Sequence, residues 1–99
     1  MPGRFVITMY AKPGKGAELA RTMADCCRAV QQEPGCQQDE SFQSALDPDT
    51  LVVLELWTDQ AALDAHAQRN ATRPPHPALA HLRADGLRPR EASLYHRTR

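Results

Sequence analysis

The sequence predicts an α+β domain in which two helices cover one face of a four-stranded antiparallel sheet, in the chain order β-α-β-β-α-β. The pairs Pro13-Gly14 and Pro34-Gly35 separate a strand-like segment, a helical segment and a second strand. A dense apolar run then leads directly into a second segment of helical character, in the stretch LVVLELWTDQAALDAH. One further strand near the end of the chain completes two interleaved β-α-β halves.

The first predicted strand, residues 4–12, is rich in β-branched and aromatic side chains and ends at Pro13-Gly14. Residues 15–33 predict a helix because apolar side chains recur at steps of three and four residues. Pro34-Gly35 ends this helix, since proline cannot continue the hydrogen-bond ladder and glycine accepts a left-handed turn. The apolar stripe of the helix comprises Leu19, Met23, Cys26, Cys27 and Val30.

The second and third predicted strands form a hairpin. Residues 36–46 are mostly polar, and their assignment as a strand depends on the turn that follows them. That turn is Asp47-Pro48-Asp49-Thr50, in which Pro48 has the backbone angle required at the second turn position. Residues 51–58 then return as the antiparallel partner.

The last third of the chain supplies the second helix and the fourth strand. Thr58 or Asp59 caps a helix over residues 60–68. A proline-rich passage leads to a short helical piece over 78–84, and residues 90–97 predict the last strand. The complete arrangement is a ferredoxin-like α+β sandwich.

Length and composition narrow the class of protein. Ninety-nine residues predict one domain, 1–99, and a chain of this size buries only ~60–70% of its unfolded surface. The 12 basic and 12 acidic side chains cancel and form no basic tract, which argues against nucleic-acid binding. The longest purely apolar run, residues 51–54, is far too short to span a membrane. Three cysteines without a disulfide framework predict reduced thiols and a cytoplasmic protein.

The first and third predicted strands are apolar on both faces, which predicts a homodimer. A sheet with one face in water should alternate apolar and polar side chains. Residues 51–57 instead carry apolar side chains at both odd and even positions, and so on both faces of the strand. The first predicted strand does likewise. Because the chain has no further element to cover the second face, we expect the same face of a second copy to cover it.

Five segments of the chain resemble the antibiotic biosynthesis monooxygenase family, whose members form dimeric α/β barrels. In order, they are AKPGKGAEL, EPGC, LELW, AALDAH and PPHPAL. The resemblance extends over nearly the whole chain and implies the same fold and a dimer. The family includes cofactor-independent oxygenases that act on polycyclic phenols and quinols, relatives that degrade haem, and isomerases of small signalling sugars.

The haem-degrading relatives pair a tryptophan on the third strand and a histidine in the later helical segment with an asparagine on the first strand. Trp57 and His76 match the first two positions. The first strand here contains no asparagine, which argues against haem degradation.

Four residues form the centre of the expected site. His66 shares the inner face of the second helix. It is interpreted either as a semi-buried structural histidine, or as a general base or hydrogen-bond donor to a substrate oxygen, since imidazole titrates near neutral pH. His76, held between two prolines, is either a loop histidine or part of a lid. Trp57 is either core or a pocket wall. Glu55, a carboxylate on an apolar strand, must be paired, protonated or facing a polar cavity, and a salt bridge to an arginine of the last strand or of a partner subunit is its expected role.

The resemblance implies a monooxygenase that oxidises a small aromatic phenol or quinol with dioxygen and needs no cofactor. His66 would be the base, Trp57 and Phe42 would flank the aromatic ring, and His76 or Tyr95 would orient an oxygen atom. We expect no metal site, because no histidine or cysteine pair has the required spacing. An isomerase or lyase acting on a small carbonyl compound, and a non-catalytic dimeric ligand-binding domain, are the alternatives.

Overall fold

A computed structural model describes residues 3–74, 76–84 and 91–96 and confirms the ferredoxin-like order. Two long helices and one short helix accompany four strands, and every strand pair is antiparallel. The elements are β1 Gly3–Tyr10, α1 Gly16–Val30, β2 Cys36–Gln43, β3 Thr50–Trp57, α2 Gln60–Thr72, α3 Leu79–Leu82 and β4 Glu91–His96.

The strands lie in the order β2-β3-β1-β4, so β1 and β3 are the two central strands. Their register pairs Gly3 with Trp57 and Tyr10 with Thr50. In the β2–β3 hairpin, Gln43 lies opposite Leu51 and Asp39 opposite Glu55. This register places Glu55 and Trp57 on the same face as the buried side chains of β1, because side chains alternate along a strand.

The helices cover one face of the sheet and enclose two clusters of buried apolar side chains. Leu19 on α1 packs with Met9 and Leu51 in the larger cluster. The smaller cluster contains Val30, Trp57 and Leu63 and lies where the end of α1 meets α2. The smaller cluster packs directly beside the candidate site described below.

Several boundaries differ from the sequence prediction for local reasons. Helix α1 ends at Val30 rather than at Glu33, because residues 31–35 form turns that include a bond from the Glu33 N–H to the Val30 carbonyl. Strand β2 ends at Gln43 because the hydroxyl of Ser44 accepts two backbone N–H groups of the following turn. Helix α2 continues four residues beyond the predicted end, to Thr72.

Other predicted features are present as expected. Asp59 caps α2 by accepting the N–H of Ala62 at 2.9 Å. The predicted turn at residues 47–50 closes with a bond from the Thr50 N–H to the Asp47 carbonyl at 2.9 Å. The first and last residues of the predicted fourth strand, Arg90 and Arg97, lie outside the described residues. No helix in the described ranges is both long and apolar enough to cross a membrane.

The face of the sheet away from the helices is substantially apolar. Val52, Leu54 and Leu56 alternate along β3 on this face and are only half-buried. Phe42 on β2 is 48% exposed, and Tyr95 on β4 is 58% exposed. We call this surface, formed by alternate residues of all four strands, the open sheet face.

Gly35 should be difficult to replace, because it has a φ angle of 84° and lies tightly against the start of α2. A Cβ atom at this position would lie 2.5 Å from the Cβ of Ala62. We expect Gly35→Ala to lower the free energy of unfolding by about 3 kcal/mol, from backbone strain and overpacking together. Chemical denaturation monitored by circular dichroism measures this loss.

Gly14→Ala is the matched control, because Gly14 has a similar φ of 78° but no atom within 4 Å of the added Cβ. This substitution should cost about 1 kcal/mol, from backbone strain alone. Equal losses in the two variants would contradict the close packing of Gly35 against α2.

Candidate functional site

A cavity of about 820 Å³ lies between the helix-covered face of the sheet, α1, α2 and the segment that follows α2. Its apolar wall comes from β1, β3 and the inner stripe of α1. Its polar wall brings together side chains from β2, β3, α2 and the loop beyond α2. These are Asp39, Glu55, His66, Asn70, Arg73 and His76. An apolar cavity with a few convergent polar groups is the usual form of a small-molecule site.

His66 is held on the inner face of α2, where Leu63, His66 and Asn70 follow one another at steps of three and four residues. Its residue exposure is only 5%. Nδ1 lies 3.0 Å from Oε1 of Glu33, and Nε2 lies 3.0 Å from the amide nitrogen of Asn70. A carboxylate only accepts and an amide nitrogen only donates, so this network places the proton on Nδ1 and the lone pair on Nε2.

Trp57 lies behind His66 rather than in the wall of the cavity. The indole is fully buried and stacks on the imidazole with ring centroids 4.6 Å apart. Its N–H donates to Oε1 of Glu55 at 3.0 Å, which is possible because the two residues are two apart on one strand and share a face. The same Glu55 oxygen lies 3.7 Å from Nε2 of His66.

Glu33 ties the end of α1 to α2. Its carboxylate accepts from His66, from Arg69 at 2.7 Å and from Arg73 at 3.2 Å. Burial alone would raise the pKa of Glu33, but these three hydrogen bonds outweigh it and lower the pKa. Glu33 is therefore ionised at neutral pH and orients the imidazole. No sequence pattern indicated Glu33, since its partners lie 33 to 40 residues further along the chain.

Asp39 is a second site residue that no sequence pattern indicated. It is only 2% exposed, and its Oδ2 has no hydrogen-bond partner among the described residues. Burial and the neighbouring charge of Glu55 raise the pKa of Asp39 to about 6, although a hydrogen bond with Cys27 acts in the opposite direction. Counting outward from the turn at residues 47–50 would pair Asp39 with Thr58, whereas the observed register pairs it with Glu55, so the turn alone did not indicate it.

The structure brings together some of the predicted site residues and separates others. Glu55, His66 and His76 line the cavity, with the exposed His76 at its edge and Trp57 immediately behind His66. Phe42 and Tyr95 lie on the open sheet face, so within one chain Phe42 cannot flank a ring inside this cavity and Tyr95 cannot orient an oxygen atom there. Glu55 accepts from Trp57 and lies 3.7 Å from His66, and the two arginines of the predicted last strand lie outside the described residues.

The cysteines near the cavity are thiols rather than thiolates at neutral pH. Burial raises the pKa of Cys27, and burial together with the charges of Asp39 and Glu55 raises that of Cys36 to about 11. A nucleophilic role is therefore unfavourable for either residue. Within the described parts of the chain, no group of three or more His, Cys, Asp or Glu side chains has a metal-binding arrangement.

Comparison with solved structures shows the same fold in several proteins. A conserved protein from Methanosarcina mazei superposes with a TM-score of 0.81 at 23% identity, over 99% of this chain and 94% of that one. SnoaB, a cofactor-independent oxygenase from Streptomyces nogalater, superposes with a TM-score of 0.78 at 18% identity, over 99% of this chain and 94% of that one. PA3566 from Pseudomonas aeruginosa superposes with a TM-score of 0.76 at 22% identity, over 99% of this chain and 95% of that one. No curated protein sequence matches the chain.

At these identities the solved structures establish the fold alone. The family is established by the model for "Antibiotic biosynthesis monooxygenase", which matches residues 2–76 and so includes β1 to α2 and the six polar residues named above, from Asp39 to His76. This match supports a monooxygenase in general terms and confirms the family that the five sequence segments indicated. The chain belongs to the antibiotic biosynthesis monooxygenase family.

Proposed function

We propose that the protein is a monooxygenase that oxidises a small aromatic phenol or quinol with dioxygen and uses no bound cofactor. The observation that carries this proposal is the cavity between the sheet and the helices, which combines an apolar wall with buried acid and base side chains. An aromatic ring suits the apolar wall, and a ring hydroxyl suits the polar one. Membership of a monooxygenase family supports dioxygen as the co-substrate.

The chemistry requires an ionised substrate, because an electron-rich phenolate can itself transfer an electron to dioxygen. His66 is the proposed base, since the hydrogen bond of Nδ1–H to Glu33 leaves the lone pair on Nε2. A substrate hydroxyl would replace the Asn70 amide at Nε2. The hydroxyl proton moves to Nε2, the electron pair stays on the substrate oxygen, and Glu33 stabilises the imidazolium that forms.

The remaining cavity residues have supporting roles in this proposal. Trp57 fixes the plane of the His66 ring and holds Glu55 in place through its N–H. His76 lines the cavity at its edge and would orient a substrate oxygen there. Phe42 and Tyr95 are assigned instead to subunit contact, because they lie on the open sheet face.

Oxygen consumption with 1,4-dihydroxynaphthalene tests the proposed reaction. Insertion of one oxygen atom gives 2-hydroxy-1,4-naphthoquinone and one water for each dioxygen consumed. We expect this product, formed faster than by autoxidation and unaffected by a metal chelator. Oxygen uptake no faster than autoxidation would overturn the proposal, and proton exchange on a carbonyl compound without oxygen uptake would favour an isomerase.

His66→Gln should lower kcat by about 100-fold or more, as expected for loss of a general base. Glutamine fills part of the imidazole space and keeps a polar group beside Glu33, so it disturbs the buried site less than alanine would. His81→Gln is the matched control, because His81 is exposed on α3 outside this cavity, and it should leave kcat unchanged. Thermal denaturation verifies folding, and full activity of folded His66→Gln would exclude His66 as the base.

We also propose that the protein forms a homodimer through the open sheet face. The apolar side chains of β3 on this face are only half-buried in one chain, and Phe42 and Tyr95 are more exposed still. Polar side chains at the margins, including Arg4, Glu40 and Glu91, carry both signs of charge, so a second copy meets no single-sign repulsion. A stable interface of this kind buries more than about 1,000 Å² in total.

Leu54→Glu should convert the dimer to a monomer at micromolar concentration, because it introduces a charge at the centre of the open sheet face. We expect the dissociation constant to rise at least ~30-fold, the effect of losing an interface anchor. Leu46→Glu is the matched control, since Leu46 is 98% exposed in the β2–β3 turn. Sedimentation velocity measures both variants, and a monomeric unmodified protein would contradict the proposed dimer.

A cytoplasmic location completes the proposal. All three cysteines are free thiols, and Cys26 and Cys27 pack on the cavity side of α1. Free cysteines are typical of proteins kept in a reducing compartment.

A further inference from the structure

We propose that Asp39 is a ligand-binding residue whose Oδ2 accepts a hydrogen bond from a hydroxyl group of the ligand. The cavity then selects a hydroxyl-bearing aromatic compound, such as a phenol or quinol, over the corresponding ether or quinone. The inference rests on the proposed function, because it assumes that the cavity takes an aromatic ligand. It adds the residue that distinguishes the reduced form of the ligand from the oxidised form.

The geometry singles out Asp39 among the acidic residues of the site. Glu33 accepts three hydrogen bonds, and Glu55 accepts the indole N–H of Trp57. Asp39 lines the cavity together with Glu55 and is only 2% exposed, yet its Oδ2 has no partner in the described part of the chain. Buried polar atoms nearly always have a partner, so this oxygen is one that a ligand is expected to satisfy.

The position of Asp39 is imposed by the sheet. The β2–β3 register places it opposite Glu55 on the helix-covered face, and α1 lies over it with Cys27. To point the Asp39 side chain towards water, the register of β2 against β3 would have to shift by one residue. That shift would also move the other side chains of β2 on the helix-covered face to the opposite face. The chain therefore retains a buried carboxyl group in a small core, at a cost in stability that a binding role would explain.

A carboxylate recognises hydroxyl groups because it offers only acceptor lone pairs. A phenolic O–H donates to it in a charge-assisted hydrogen bond, whereas a quinone carbonyl presents its own lone pairs and is repelled. Oxidation of a quinol removes its O–H donors. Oδ2 of Asp39 would thus favour binding of the quinol, which donates a hydrogen bond to it, and release of the quinone, which has no such donor.

The preference for a hydroxyl-bearing ligand should depend on pH near neutrality, because burial, together with the charge of Glu55, raises the pKa of Asp39 to about 6. Above this pH the ionised carboxylate accepts strongly, and below it the protonated group loses the charge that strengthens the bond. Affinity for a hydroxyl-bearing ligand should therefore rise as the pH increases through 6 and then level off. The other titratable groups that influence Asp39 are Cys27 on α1, Glu33 after α1, Cys36 on β2, Glu55 on β3 and His66 on α2.

Calorimetric titration without oxygen tests the inference independently of turnover. The probes are 1,4-dihydroxynaphthalene and 1,4-dimethoxynaphthalene, which share a ring system but differ in hydroxyl donors. At pH 8 the unmodified protein should bind the dihydroxy compound about 10- to 100-fold more tightly. Asp39→Asn should lose most of this preference, whereas the exposed Asp64→Asn should retain it.

The pH profile of the unmodified protein is a second measurement that does not depend on the folding of any variant. Affinity for the dihydroxy compound should decrease below pH 6 while affinity for the dimethoxy compound stays constant. Equal affinity for the two compounds, or an unchanged preference in Asp39→Asn, would overturn the role of Asp39 and leave the proposed reaction standing. Selective binding without oxygen consumption would overturn the reaction and support Asp39, and absence of binding would overturn both.

Discussion

The carboxylate of Glu33 is the interaction on which the geometry of the site depends. It lies just beyond the end of α1 and accepts hydrogen bonds from three side chains of α2 or its C-terminal end, namely His66, Arg69 and Arg73. Three hydrogen bonds offset much of the free energy that this carboxylate loses when it is removed from water. Removal of one donor would leave a carboxylate oxygen without one of its hydrogen bonds. Glu33 thus fixes α2 against α1 and fixes the orientation of the imidazole that faces the cavity.

The site places several polar groups in a small core, where each one opposes stability unless it is paired. Trp57 reduces this cost in two ways, since its ring stacks on His66 and its N–H satisfies Glu55. Asp39 is the exception, with one carboxylate oxygen left without a partner in the described part of the chain. Unsatisfied groups of this kind are concentrated at functional sites, which is why Asp39 carries more information about ligand chemistry than the well-paired Glu33.

The two faces of the sheet serve different purposes in the proposed function. The helix-covered face forms the core and the polar wall of the cavity, whereas the open sheet face is available for a second copy. Central strand β3 contributes to both, because its alternate residues are Glu55 and Trp57 on one side and Leu54 and Leu56 on the other. Association of two copies would therefore stiffen the strand that holds the site.

The sequence by itself determined the order of the elements and part of the site. Pro-Gly pairs and the 47–50 turn marked the ends of the elements, and helical spacing placed His66 on the inner face of α2. Alternation along β3 likewise placed Glu55 and Trp57 on one face. These features are local, since each depends on residues within a few positions of one another.

The tertiary structure alone decided which side chains meet across the cavity. Glu33 and His66 are 33 residues apart, and no local pattern predicts that the end of α1 lies against α2. Alternation shows which residues of one strand share a face, but the register decides which residues of neighbouring strands do. Phe42 and Tyr95 were expected in the same site as Trp57 and lie on the opposite face. Hydrogen-bond partners of buried groups depend on packing between distant elements, and that packing exists only in the folded chain.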